Sequence, residues 1–289
     1  MNEVACVVRR DNLLGEGPVW DAARGRLWWV DIKGRLLQWF DPATGEDGVQ
    51  ATELLVSSVA PREDGTLIAA TAEGLAVIDP DTWNIETRTG FEDERPWNRP
   101  NDGNVDVAGR YWFGTMDDVQ ERKTGAVYRV GPDWNPVRAI DGMWITNTLV
   151  TSPDGRTLYV CDTGENTIFA YDLDPETGDL GERRVFATTE EGVGPDGSAV
   201  DAEGFLWNAQ WGGWRVVRYA PDGTIDRTVE VPVQQPSSCA FGGPDLSTLY
   251  ITSARESLSR DDLAKQPLAG SLLAFEPGVK GLALPPFGG

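Results

Sequence analysis

The chain of 289 residues carries 46 acidic against 25 basic side chains, a formal charge of −21, with 40% hydrophobic residues and twelve tryptophans. That charge repels phosphate backbones and argues against nucleic acid as a partner. No apolar run reaches the roughly 20 residues that cross a bilayer, and residues 1–11 are too polar for a secretion signal, so no membrane association and a cytoplasmic location are expected.

In chain order, Glu3 to Arg9 reads first as a strand, with Val4, Cys6 and Val8 alternating. One pattern then recurs, an apolar strand start after a Gly- or Asp-rich turn. It appears as Leu27-Trp28-Trp29, Leu67-Ile68-Ala69, Tyr111-Trp112-Phe113, Leu158-Tyr159-Val160, Leu206-Trp207-Asn208 and Leu249-Tyr250-Ile251, spaced by 40 to 48 residues. That period fits four short strands with their turns, one propeller blade. Asp64-Gly65, Ala108-Gly109, Asp154-Gly155 and Glu203-Gly204 supply the positive φ of tight hairpins ahead of four of these strands. A further strand follows each: Arg35 to Phe40, Ala76 to Asp79, Ala126 to Val130, Ile168 to Leu173, Val216 to Tyr219 and Ser271 to Phe275. Helical periodicity is absent, and Glu190-Glu191 and Asp261-Asp262 read as solvated loop charges.

After Pro277 the sequence makes a poor strand, which leaves the sixth unit one strand short. Glu3 to Arg9 is the spare, expected to pair with Ser271 to Phe275 and face Val4, Cys6 and Val8 to one side. Closing the ring this way removes exposed edges. The expectation is an all-β, six-bladed β-propeller of four-stranded blades, one domain over residues 1–289, and a monomer.

Two absences narrow the chemistry. There is no histidine, which excludes Ser-His-Asp triads, Cys-His pairs and His-ligated zinc and leaves oxygen as the main donor to any metal. Cys6, Cys161 and Cys239 are odd in number and widely spaced, so neither a disulfide framework nor a thiolate zinc site is expected.

Equivalent positions of propeller blades converge on the axis. About ten residues before each repeated strand stand Glu16, Ser57, Asn101, Asn147, Asp196 and Ser238. Turns favour such residues anyway, but six polar side chains on one ring go beyond that preference. Two carboxylates crowded at an axis repel each other unless something positive lies between them. A divalent cation answers this, with Glu16 and Asp196 neutralising it and Asn147 adding a neutral oxygen. Three such ligands leave positions open for water and substrate.

Leu14-Gly15-Glu16-Gly17-Pro18-Val19-Trp20, Asn98-Arg99-Pro100-Asn101-Asp102-Gly103, Phe113-Gly114-Thr115-Met116, Ile145-Thr146-Asn147 and Gly194-Pro195-Asp196-Gly197 occur in this order. Together they resemble the senescence marker protein/regucalcin/gluconolactonase family, most closely bacterial sugar-acid lactonases such as xylonolactonase and gluconolactonase. The resemblance implies a metal-dependent hydrolase of sugar lactones. It implies Glu16, Asn147 and Asp196 as metal ligands, and Arg99, Asn101 and Glu121 as substrate contacts. Asp196 is the candidate base, since no imidazole exists. Oxygen donors suit calcium, magnesium, manganese or ferrous iron and admit zinc. One departure is Thr148, where many relatives carry Gly. Asp102 is read as shaping its turn, and Trp207, Trp211 and Trp214 as packing between blades. Two other readings stand beside lactone hydrolysis: a hydrolase of phosphotriesters or acyl lactones on the same scaffold, and a non-catalytic metal-binding or protein-binding propeller.

Overall fold

The computed structural model describes residues 3–289. Strand β1 (Ala5–Val8) precedes the first blade. Blade 1 is β2 (Gly15–Asp21), β3 (Arg26–Asp31), β4 (Leu36–Phe40) and β5 (Asp47–Ala51), and blade 2 is β6 (Val56–Pro61), β7 (Leu67–Thr71), β8 (Gly74–Ile78) and β9 (Ile85–Thr89). Blade 3 is β10 (Asn98–Val105), β11 (Tyr111–Asp117), β12 (Gly125–Val130) and β13 (Pro136–Met143), and blade 4 is β14 (Thr146–Thr151), β15 (Thr157–Asp162), β16 (Thr167–Leu173) and β17 (Leu180–Thr188). Blade 5 is β18 (Gly194–Val200), β19 (Leu206–Trp211), β20 (Arg215–Tyr219) and β21 (Ile225–Glu230), and blade 6 is β22 (Pro236–Gly242), β23 (Thr248–Ser253) and β24 (Leu272–Phe275), completed by β1. The molecule is a six-bladed β-propeller of antiparallel four-stranded sheets.

Ring closure takes the expected form, with Ala5 opposite Ala274, Cys6 opposite Leu273 and Val8 opposite Leu272. The expected single face does not. A register slip between Cys6 and Val8 turns the strand over, so Val4 and Cys6 pack toward blade 5 and Val8 packs toward blade 1. A bulge adds one residue to a period of two and so reverses every side chain beyond it.

The core lies in six seams, one between each pair of neighbouring blades. The repeated strand supplies both sides by alternation. Leu27 and Trp29 meet blade 6, while Trp28 and Val30 meet blade 2. Trp112 fills the seam between blades 3 and 4, and Trp207 the seam between blades 5 and 6. Three buried indoles share one polar device. Trp28, Trp112 and Trp207 donate Nε1–H to Asp21, Asp106 and Asp201, at 3.2, 2.8 and 2.9 Å, which satisfies a donor that is costly to bury unpaired. The outermost strands, such as β21, are mostly exposed.

One short helix, α1 (Arg260–Lys265), departs from the sequence expectation. Asp262 is not a solvated loop charge but half of a capping box with Ser259, which satisfies N-terminal N–H groups. Among the described residues no helix is long and apolar enough to cross a membrane.

Beyond β24 the chain crosses the far mouth of the channel as a strap. Gly281 N–H donates to the Leu246 carbonyl at 2.8 Å, and Phe287 N–H to the Pro61 carbonyl at 2.8 Å. The Phe287 ring is fully buried against Tyr111 and Trp134. Beneath the strap lies a cavity of about 500 Å³ lined by Val19, Val105, Val150, Val200 and Phe241.

Candidate metal and substrate site

The near mouth is built by the starts of the six innermost strands. In each blade a residue at or near the end of the second strand (Asp31, Thr71, Thr115, Asp162, Gln210, Ser253) pairs with Gly15, Val56, Pro100, Thr146, Pro195 or Pro236. The residues that follow are Glu16, Ser57, Asn101, Asn147, Asp196 and Ser237, and at or just beyond each the register slips. By this register Ser237, not Ser238, is the sixth ring position. Ser238 packs instead on Gly197, where a Cβ would stand 2.0 Å from its Oγ. The bulges re-aim side chains that a regular ladder would send into the seams. They also place Gly17 and Thr148 in the left-handed region, at φ 55° and 56°.

A directional chain of hydrogen bonds orients the two amides. Arg99 Nη1 donates to Asn101 Oδ1 at 2.7 Å, and Asn101 Nδ2 donates to Asn147 Oδ1 at 2.9 Å. Asn147 Nδ2 donates to Thr163 Oγ1 at 2.9 Å, and Thr163 Oγ1 donates to the Pro195 carbonyl at 2.7 Å. Because the guanidinium can only donate, every later member of the chain is forced into one orientation. Asn147 Oδ1 is thereby held toward Asn101 and keeps a second lone pair for another partner.

The carboxylates are electrostatically overloaded. Glu16 is pushed up to about 8, first by burial and then by the charge of Asp102, with the Gly17 N–H and Arg99 opposing. Asp196 is raised well above the usual carboxylate range by burial, then by Glu16 and Asp102. Asp102 is raised by burial, although it accepts from Gly103 N at 2.8 Å and Thr148 N at 2.9 Å. It therefore shapes its turn, as expected, and also ties blade 3 to blade 4. Asp196 Oδ1 is buried and has no hydrogen-bond partner. A buried anionic oxygen without a partner is costly, and a cation is the partner such an oxygen lacks. Among the described residues no three acidic or thiol side chains gather to hold a metal. Glu16, Asp196 and the Asn147 amide could offer a cation hard oxygens.

Of the substrate contacts expected, Arg99 and Asn101 join the ring and Glu121 does not. Glu121 is exposed, and its backbone N–H donates to Asp117 Oδ2 at 3.0 Å. The acid beside Arg99 is Asp118, whose Oδ1 accepts from Arg99 Nε at 2.6 Å and from Lys33 Nζ at 2.5 Å. Its partial burial alone would raise its pKa, but the two cations outweigh that and lower it. Asp118 and Lys33 escaped the sequence reading because neither sits on the repeated ring position. The Trp residues of blade 5 divide: Trp207 is fully buried, Trp211 packs on an apolar cluster, and Trp214 is exposed.

The SMP-30/gluconolactonase/LRE-like region matches residues 14–255. The chain belongs to that family. The match contains all six ring positions and stops short of β24 and the strap. Among its relatives, regucalcin of Gallus gallus is 37% identical over 99% of both chains. The 6-deoxy-6-sulfogluconolactonase of Pseudomonas putida is 37% identical over 100% of both. The crystal structure of a calcium-binding protein, regucalcin, from Agrobacterium tumefaciens superposes with a TM-score of 0.93 at 36% identity, covering 98% of this chain and 96% of that one.

Proposed function

We propose that this chain is a divalent-cation-dependent lactonase that opens sugar (aldono-) lactones to aldonic acids, as a cytoplasmic monomer with one domain over residues 1–289. The observation that carries the reading is Asp196 Oδ1, an anionic oxygen buried without a partner beside Glu16 and the oriented Asn147 amide. Family membership and the lactonase named among its relatives support the substrate class.

Glu16, Asn147 and Asp196 would hold the cation. When bound, such an ion polarises a carbonyl and acidifies a water. The chain's own residues do the rest. Arg99 presents its remaining N–H donors beside the ring to hold sugar hydroxyls or lactone oxygens, while Asn101, whose two amide N–H groups go to the Thr146 carbonyl and Asn147 Oδ1, can meet a sugar hydroxyl only by accepting through Oδ1. Asp118 fixes the Arg99 guanidinium so that these donors are preorganised. As water oxygen adds to the lactone carbonyl carbon, the Asp196 carboxylate accepts its proton. The ring C–O bond then breaks, and that proton passes to the departing ring oxygen, leaving a hydroxy acid. With no histidine in the chain, a carboxylate must carry this proton.

The test is acid release from a panel of five- and six-membered aldonolactones, with the protein chelated and then reloaded with calcium, magnesium, manganese, ferrous iron or zinc. Turnover that disappears with chelator and returns with one of these ions is the expected result. Cation binding without turnover of any lactone would favour the non-catalytic reading instead.

A further inference from the structure

Each proposed cation ligand follows a carbonyl that the preceding blade holds. Ser237 Oγ of blade 6 donates to the Gly15 carbonyl before Glu16. Asn101 Nδ2 of blade 3 donates to the Thr146 carbonyl before Asn147 at 3.0 Å. Thr163 Oγ1 of blade 4 donates to the Pro195 carbonyl before Asp196 at 2.7 Å. The carbonyl of Asp196 itself is held as well, by Thr148 Oγ1, again from blade 4, and by Asn208 Nδ2 of its own blade at 2.8 Å.

Thr148 is built into this contact. It is a β-branched residue at φ 56°, a conformation such residues rarely adopt and keep only where surroundings over-determine it. The surroundings do so. Its N–H is bonded to Asp102 Oδ2 at 2.9 Å. Its hydroxyl lies 2.7 Å from Ser198 Oγ and accepts from Cys161 Sγ at 2.9 Å, while donating to the Asp196 carbonyl. One donor and two acceptor positions are all that a hydroxyl has, and all three are used.

We infer that Thr148 and Thr163 form a clamp from blade 4 that presets the backbone of Asp196, making both positioning residues for the cation site. The inference rests on the reading of Glu16, Asn147 and Asp196 as ligands. Two consecutive carbonyls of one strand, gripped by two hydroxyls of the neighbouring blade, leave the Asp196 side chain little freedom in how it meets Asn147. Asn147 is bonded to the same Thr163. The clamp therefore fixes the spacing of two ligands across a blade seam that carries no strand pairing.

The experiment measures calcium and manganese affinity of the chelated protein by calorimetry, with the melting temperature of the cation-free form recorded in parallel. Thr148→Val and Thr163→Val keep the branched shape and remove the hydroxyl; Thr148→Ser and Thr163→Ser keep the hydroxyl. Each Val variant should bind the cation about 10- to 100-fold more weakly, the usual effect of losing a group that orients a ligand. Each Ser variant should stay within a few-fold of wild type. Thr163, only partly buried, tests the clamp should the Thr148→Val core substitution fail to fold. Val variants that match their Ser counterparts in affinity, while wild type binds, overturn the clamp alone. A wild type that binds neither cation overturns the ligand assignment and the clamp with it.

Discussion

Removing the cation should make this protein less stable as pH rises, against the ordinary behaviour of an acidic protein near neutrality. In the folded, cation-free chain Glu16 is held at about 8, chiefly by burial and secondly by Asp102, whereas unfolded it titrates near 4.5. Between those values the folded state keeps a proton that the unfolded state has released. Stability therefore falls with rising pH across that window. Each tenfold change in proton affinity is worth about 1.4 kcal/mol. Holding Glu16 at about 8 rather than 4.5 thus costs the ionised, cation-free fold about 5 kcal/mol. A domain's whole stability is typically about 5–15 kcal/mol, so the effect is large. Asp196, raised by burial and then by Glu16, acts in the same direction. Surface acids do not mask the effect. Asp41, Asp64 and Asp79 lie below their ordinary 3.8, so their contribution is already complete at pH 5.

The assay is guanidinium unfolding of chelated protein at pH 5, 6, 7 and 8, repeated with saturating calcium. Chelated wild type should lose several kcal/mol from pH 5 to 8, and most of that loss should vanish in Glu16→Gln, which cannot ionise. With calcium bound, wild type should hold its stability across the range, because the ion replaces the proton between the carboxylates. A chelated protein whose stability is level or rises from pH 5 to 8, with Glu16→Gln tracing the same curve, would refute the reasoning.

Three other perturbations read separate parts of the structure. Arg99→Ala should lower kcat/KM by about 100-fold through lost alignment while cation stoichiometry stays at the wild-type value; loss of the cation as well would show Arg99 to be part of the metal site. Asp118→Asn should raise KM for the lactone with little change in cation affinity, since it loosens only the Arg99 and Lys33 partners; steady-state kinetics beside calorimetry decide this. Phe287→Ala empties a fully buried ring site and should destabilise by about 3–5 kcal/mol with the near-mouth chemistry intact; a loss below about 1 kcal/mol in urea unfolding would mean that the strap does not close the far mouth.

The blades were legible because repetition averages out local ambiguity. Leu27, Leu67, Tyr111, Leu158, Leu206 and Leu249 each stand first or second in a strand that the structure contains. Repetition also located Glu16, Asn101, Asn147 and Asp196, which all stand at one equivalent position. It failed wherever a single residue had to be counted across a bulge. Val8 faces the opposite way from Cys6 for that reason, and Ser237 took the place expected of its neighbour Ser238. The connection from Asp117 to Thr124 differs in length from its counterpart in every other blade, so nothing in the repeat could choose between Asp118 and Glu121. There the Asp117 side chain sets the backbone, by accepting from the N–H groups of Glu121 and Arg122 at 3.0 and 2.9 Å, and it is Asp118 that meets Arg99. Helix α1 carried a readable signal, Ser259 three residues before Asp262, but six residues are too few for helical periodicity to register.

Bulges explain how one fold can hold such a crowded set of charges. A bulge breaks the regular ladder, so side chains at or beside it can change without altering the strand pairing that builds the blades. Within this one chain the six equivalent positions carry two carboxylates, two amides and two hydroxyls, each at or next to a slip in register. The penalty of burying Glu16, Asp102 and Asp196 together is then met from outside the ladders. Backbone N–H groups of Gly17, Gly103 and Gly197 oppose the charge. Hydroxyls and an amide from preceding blades grip the carbonyls ahead of Glu16, Asn147 and Asp196. The hydrophobic seams hold the ring closed, and the polar cross-ties between blades hold the site, so substitutions that disturb the second need not disturb the first.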